Sequence, residues 1–334
     1  MTAPRPLVTV IIPARNEQAD IAGCIDAVAA QDHGADRIQL VVVDAASDDG
    51  TVEEVVRAAA AHRFAEVVVE GNPRRRTSVG LNVGLDRAKG EYVARVDARS
   101  RVAPGYVSTC LRAMADHRVG VVGGAQVALA RSAGLVDTAI ARALRNRYGT
   151  GLSRYRRGRR SGPSDTVWMG FFRTGDLRAM GGWSEAVALN EDFELNRRYR
   201  EAGYLVWFDS ELRSRYLPRR SLALLARQYF YFGRVKGTWW ARGDRPTLRQ
   251  AALLAAPLVA GGLAALAYRK AGPATLLAVP GALLAVEAAG SDEPAPLTHH
   301  ALAAATIALT NGSWWAGTVV GFVGDKAGLR HQHG

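Results

Sequence analysis

Three short β-branched runs, each closing on a cluster of polar residues and each followed by a helical pattern, constrain this chain most. Residues 7–12 (LVTVII) run into Pro13-Ala14-Arg15-Asn16-Glu17, and Ile21, Cys24, Ile25 and Val28 follow at three-four spacing. Residues 38–43 end at Asp44 and the loop AASDDG, after which Thr51 opens a helix with Glu53 and Glu54 in its first turn. Further strands at 65–69 and 92–96, the latter ending at Asp97-Ala98-Arg99, continue the alternation. It predicts an α/β fold with parallel strands and helices on both faces, and ligands in such sheets bind at the carboxyl ends of the strands. All three polar clusters lie at such ends.

The charge is unevenly distributed. The net charge is +12, yet residues 251–334 hold four basic and four acidic side chains, so the whole excess lies in the first 250 residues. Segments 251–268, 271–286 and 301–324 carry no charge, and a bilayer span needs ~20 mostly apolar residues. The third is comfortably long, the first marginal, and the second is interrupted by Pro280 and Gly281 as in a kinked or re-entrant helix. Arg242, Arg245 and Arg249 precede the first segment, which suits a helix entering from the cytoplasm. The expected organisation is a catalytic domain over residues 1–245, on the cytoplasmic side of the cell membrane, and membrane-anchoring helices over 246–334. Residues 8–12 are too short for the apolar region of a cleavable signal. Cys24 and Cys110 are the two cysteines; they exclude a disulfide framework and weigh against structural zinc.

A GxGxxG turn is absent, which argues against a dinucleotide-binding dehydrogenase, and PARNE has no glycine for the phosphate loop of a nucleotidylyltransferase. Instead the chain resembles a family 2 glycosyltransferase of the GT-A fold, near the succinoglycan and exopolysaccharide type. PARNE stands for the PxxNE opening, VVVDAASDDGT for the VDDGSxDGT loop and RVDARS for the DxD-like motif. Met169 to Glu185 (MGFFRTGDLRAMGGWSE) looks like the acceptor-side segment, NEDFEL like the ED motif, and RQYFYFG occupies the place of QxxRW. The match runs from residue 7 to about 240.

This resemblance implies an inverting sugar transfer from a nucleoside diphosphate donor, with a UDP-sugar favoured, to a lipid-linked or polysaccharide acceptor. It places Pro13, Arg15, Glu17, Asp44, Arg76, Asn82, Asp97 and Arg99 around the nucleotide sugar. Asp44 would accept the imide N–H of the base. Asp97 would hold Mg2+ or Mn2+ at the diphosphate, although Arg99 replaces the second acid of DxD. Asp192 would be the general base that takes the acceptor proton, with Glu191 and Glu194 beside it. Gly170, Gln228 and Tyr231 would face the acceptor and diphosphate. The missing Trp in RQYFYFG points to addition of one sugar rather than processive synthesis.

Each residue also has a structural reading. Asp44 could cap its own turn, Asp97 could pair with Arg95 or Arg99, and acids in a first helical turn are favoured by the helix dipole. Eight arginines with no acid between residues 142 and 160 could be a solvated face. Only Tyr148 and Tyr155 interleave them, so anionic lipid fits better than nucleic acid. Two alternatives stand beside the main reading: a polyprenyl-phosphate sugar synthase of the same fold, and a catalytically degenerate basic protein bound to membrane lipids.

Overall fold

The computed structural model describes residues 5–147, 149, 160–187, 190–246, 248–273, 275, 278–291 and 293–327. It divides into two compact units, Met1–Val127 with Ser153–Tyr216, and Ala128–Leu152 with Leu217–Gly334.

The first unit is built on one mixed sheet. Strands β1 (Val8–Ala14), β2 (Ile38–Asp44), β3 (Glu66–Gly71) and β4 (Tyr92–Arg95) pair in parallel, in the order β3-β2-β1-β4. These are the four strands the β-branched runs predict. Their alternation sorts side chains between two cores. Val8, Val10, Ile12, Leu40 and Val42 pack with α1 (Ile21–Ala29), α2 (Thr51–Ala60) and α4 (Tyr106–Met114). Ile11, Val41 and Val43 pack instead with α3 (Thr77–Arg87).

Beyond β4 the sheet changes direction. The short strand β5 (Ser100–Arg101) pairs antiparallel with β9 (Leu205–Tyr216), as does β7 (Gly162–Pro163). Strand β8 (Trp168–Arg173) runs antiparallel to β4 and to β6 (Val119–Ala128). Helices α6 (Thr174–Ala179) and α7 (Glu191–Glu201) follow β8, and their Leu177, Leu195 and Tyr199 join the second core. The reversal has a positional effect: the amino end of β8 lies beside the carboxyl end of β4, bringing Trp168 and Met169 to Asp97.

The second unit is helical, with α5 (Leu135–Arg145), α8 (Leu222–Ala241), α9 (Leu248–Ala271), α10 (Ala278–Gly290) and α11 (Leu297–Lys326). Helices α8 and α11 approach until their backbones touch. A Cβ on Gly233 or Gly237 would overlap the carbonyls of Trp314 or Thr318, and one on Gly317 or Gly321 would overlap those of Phe230 or Arg234. Two small-xxx-small faces therefore interlock, a device that serves close helix pairs. Helix α5 packs Ala139 and Ala143 against Ala303 and Ile307. A buried ion pair joins Arg142 to Glu287 at 2.5 Å, and His300 completes it.

Among the described residues, one helix is long and apolar enough to cross a membrane: Gln250–Ala271, 22 residues with mean hydropathy 1.9. This corrects the ranking of the apolar segments. The marginal first segment gains length because its helix begins before residue 251, and Leu258, Val259 and Leu263 stand exposed on it. The third, 301–324, lies within the 30-residue α11, whose Thr306, Thr310, Gly317 and Gly321 form a stripe buried on neighbouring helices. The second is the 13-residue α10, with Pro280 in its first turn, where proline is tolerated. Most of the arginine run, residue 148 and residues 150–159, lies outside the described residues.

Candidate active site

The loops after β1 and β2 are fastened to each other. Asn16 exchanges hydrogen bonds with Asp48, donating Nδ2–H to Oδ1 at 2.7 Å and accepting the Asp48 N–H at 3.1 Å. The Asn16 N–H donates to Ser47 Oγ, and the Glu17 N–H to Thr51 Oγ1, both at 2.9 Å. Asp44, half-buried at the end of β2, accepts from Ser47 N–H at 3.0 Å and Ser47 O–H at 2.5 Å. The turn-capping role is therefore real, and it still leaves a lone pair on each carboxylate oxygen. Asn16, Ala46 and Arg75, one in each loop after β1, β2 and β3, hold positive φ, as do Met169 and Asn190. Such conformations concentrate where function constrains the backbone.

At the end of β4 a single arginine gathers three acids. Arg95, 7% exposed, donates Nε–H to Asp97 Oδ1 at 2.9 Å, and its Nη1 donates to Glu191 Oε1 at 2.9 Å and to Asp192 Oδ1 at 2.6 Å. Arg95 and Asp97 share a face of the strand because they are two residues apart. Glu191 and Asp192 arrive on the first turn of α7. Asp97 is further fixed by Trp168, whose Nε1–H donates to Oδ2 at 3.1 Å, while its own N–H points at Met169 Sδ. Tyr106 holds the Met169 carbonyl at 2.7 Å.

Burial raises the pKa of Asp192 to about 7; Arg95 pulls it down, and Glu191 and Asp97 push it up. Burial alone would lower the Arg95 pKa, but Asp192, Asp97 and Glu191 outweigh it and hold the guanidinium charged. A carboxylate that changes charge near neutrality suits a general base.

The other expected residues fall in several places. Arg99 pairs through Nε with Glu17 at 3.3 Å, and both are largely buried. Pro13 lies in β1 opposite Val43, and Arg15 is exposed just beyond it. Arg76 is half-buried, and its carbonyl accepts from Asn72 Nδ2. Asn82 braces the segment after α6, giving Nδ2–H to the Trp183 carbonyl at 2.8 Å and accepting the Trp183 N–H at 2.9 Å. Glu194 holds Arg198 through both oxygens, at 2.8 and 2.9 Å, and Arg198 grips the Met180 and Gly182 carbonyls. Gly170 is buried in β8, where a Cβ would run into the Phe172 ring. Gln228 and Tyr231 belong to α8 in the second unit; the Gln228 Oε1 is buried without a partner, and Arg234 lies over the Tyr231 ring. Arg95 and Trp168 stood outside the expected set. The alternation in RVD was the signal for Arg95, and an indole N–H in need of an acceptor was the signal for Trp168.

The donor set does not fit a resident Mg2+ or Mn2+. Each oxygen of Asp97 already accepts one hydrogen bond, from Arg95 and Trp168, so an ion would have to share this carboxylate, and the position of a second acid is Arg99. Glu191 and Asp192 are held by the same guanidinium. Among the described residues no group of three or more His, Cys, Asp or Glu could hold an ion.

Residues 9–176 match the family model described as Glycosyl transferase family 2. The chain is 29% identical over 263 residues to Succinoglycan biosynthesis protein ExoA of Rhizobium meliloti, covering 77% of this chain and 78% of that protein. Among solved structures it is similar to Mannosyltransferase PcManGT from Pyrobaculum calidifontis in complex with GDP-Man and Mn2+, with TM-score 0.59, 23% identity, and 96% and 88% of the two chains covered. S. aureus TarS 1-349 in complex with UDP superposes with TM-score 0.51 and 14% identity, covering 94% and 90%. The fold is accordingly of the GT-A type.

Proposed function

The chain belongs to glycosyl transferase family 2, and on that premise we propose that it moves one sugar from a nucleoside diphosphate donor, a UDP-sugar first, to a lipid-linked or polysaccharide acceptor, with inversion. The observation that carries this reading is the gathering of Asp97, Glu191 and Asp192 on Arg95. The succinoglycan relative supports an exopolysaccharide or cell-envelope product. GDP-Man in one solved neighbour and UDP in another support a nucleotide-linked donor.

In this reading Asp44 receives the base N–H on its remaining lone pairs, with Arg15 and Glu17 from the loop after β1 beside it and Arg76 toward the diphosphate. Asp192 takes the acceptor proton as the hydroxyl oxygen attacks the anomeric carbon from the face opposite the leaving group. Inversion follows from that single displacement. Glu191 and Arg95 fix the orientation of the base, and Glu194 acts through Arg198 on the segment at Gly182. Gly170 is assigned to the acceptor side. A divalent ion, were one held beside Asp97, would supply charge neutralisation at the diphosphate.

Residues 1–245 carry the reaction on the cytoplasmic side of the cell membrane and residues 246–334 anchor it. Gln250–Ala271 supports that placement by length and hydropathy, and Arg242 and Arg245 before it favour the cytoplasmic side. The test is transfer by detergent-purified protein from a panel of nucleotide sugars to polyprenyl-phosphate-linked and glycan acceptors. Absence of both transfer and donor hydrolysis with every one of them would refute the proposal.

A further inference from the structure

We infer that Arg99 is the cation that receives the donor diphosphate, in the place where a divalent metal would otherwise stand. The inference rests on the glycosyltransferase reading above and deepens it at the diphosphate. Every acid at the carboxyl end of β4 is already engaged by the chain's own arginines. Asp97, Glu191 and Asp192 lie on Arg95 at 2.9, 2.9 and 2.6 Å, and Glu17 lies on Arg99 at 3.3 Å. An ion bridging protein and phosphate is held by carboxylate oxygens, and here it would find one carboxylate, Asp97, already shared with Arg95 and the Trp168 indole, and no second acid at position 99.

Arg99 lacks that difficulty. Arg99 is 16% exposed, and among the described residues its one side-chain ion-pair partner is Glu17, reached through Nε at 3.3 Å. The Nη end is left for an incoming anion, and a planar fork matches two phosphate oxygens. Arg15 and Arg76, from loops at the same edge of the sheet, can add charge, although Arg76 also acts electrostatically on Glu185. As the acceptor oxygen bonds to the anomeric carbon, the bond from that carbon to the phosphate oxygen breaks. Its electron pair stays on the diphosphate, where Arg99 donates N–H, and the acceptor proton goes to Asp192. No metal is consumed or required in that balance.

The experiment is calorimetric binding of UDP to the full chain in EDTA and in Mn2+, with Mn2+ occupancy followed by electron paramagnetic resonance. Equal affinity in both buffers, and no bound Mn2+ in the presence of UDP, supports the inference. Arg99→Ala should lose on the order of 10²-fold in turnover, the usual effect of removing a donor to developing negative charge. Arg99→Asp, which restores a DxD pair, should become Mn2+-dependent; Glu17→Gln can accompany it to relieve the two facing acids, and melting curves report whether the variants fold. UDP binding that EDTA abolishes and Mn2+ restores in the wild type would overturn the inference. So would a folded Arg99→Asp that binds UDP in EDTA as tightly as the wild type. If the wild type binds no nucleoside diphosphate in either buffer, the glycosyltransferase reading fails, and this inference with it.

Discussion

Replacing Arg95 with Gln tests whether one guanidinium sets the ionisation of the base. The side chain is buried and holds Asp97, Glu191 and Asp192, whose own side chains are 32%, 10% and 21% exposed. At an effective dielectric near 20, a unit charge ~4 Å away is worth about 4 kcal/mol, and desolvation cancels much of it. Removing one partner of a buried pair typically costs about 3–5 kcal/mol. The lower end applies here, since water can reach Asp97 and Asp192 once the arginine is gone. One pH unit corresponds to about 1.4 kcal/mol, so losing even a third of the interaction raises the Asp192 pKa by roughly one unit. The sign follows: the base works when ionised, so the wild-type rate climbs through about pH 7, and in Arg95→Gln the climb moves to higher pH. With that displacement the rate at pH 7 falls about fivefold from ionisation alone and recovers toward pH 9. The assay is nucleoside diphosphate release against pH, beside thermal melts. An unmoved limb in a folded variant would refute the reasoning.

Other outcomes follow from the same geometry. Asp192→Asn should remove transfer while UDP affinity, measured by calorimetry, stays near wild type, because the amide keeps the shape but takes no proton. Asp44→Ala should weaken UDP binding by about 1–3 kcal/mol and leave a smaller defect in Ser47→Ala, which removes only one donor to the carboxylate; equal defects would mean that turn capping is its whole role. Gly317→Ala should destabilise the chain by about 1–3 kcal/mol in detergent melts, because its methyl would meet the Phe230 carbonyl. Gly312→Ala, with open space around it, should instead be neutral or stabilising by up to about 1 kcal/mol.

Much of the first unit was legible because strand ends announce themselves locally. Asp44, Asn16 and Asp97 follow apolar runs, and the loop chemistry that fastens Asn16 to Asp48 draws on residues that favour turns wherever they occur. The three-way grip of Arg95 was not legible in the same way. Glu191 and Asp192 lie 96 and 97 residues away in sequence, and the antiparallel return of β8 that delivers Trp168 leaves no local trace. Segment 301–324 was ambiguous for a different reason. Absence of charge is shared by helices facing lipid and helices packed on other helices. Only the spacing of Gly317 and Gly321, read against Gly233 and Gly237, separates the two.

The buried pair between Arg142 and Glu287 joins residues 145 apart in sequence, and that gap has a meaning in time. At ~5–20 residues per second of synthesis, Arg142 emerges about 7–30 s before its partner. Throughout that interval α5 has no Glu287 to neutralise its buried arginine and no Ala303 or Ile307 to cover Ala139 and Ala143. The nascent chain must carry that face unsheltered, in reach of chaperones, and any ribosome that stalls before residue 297 releases a chain whose α5 has no cover to find.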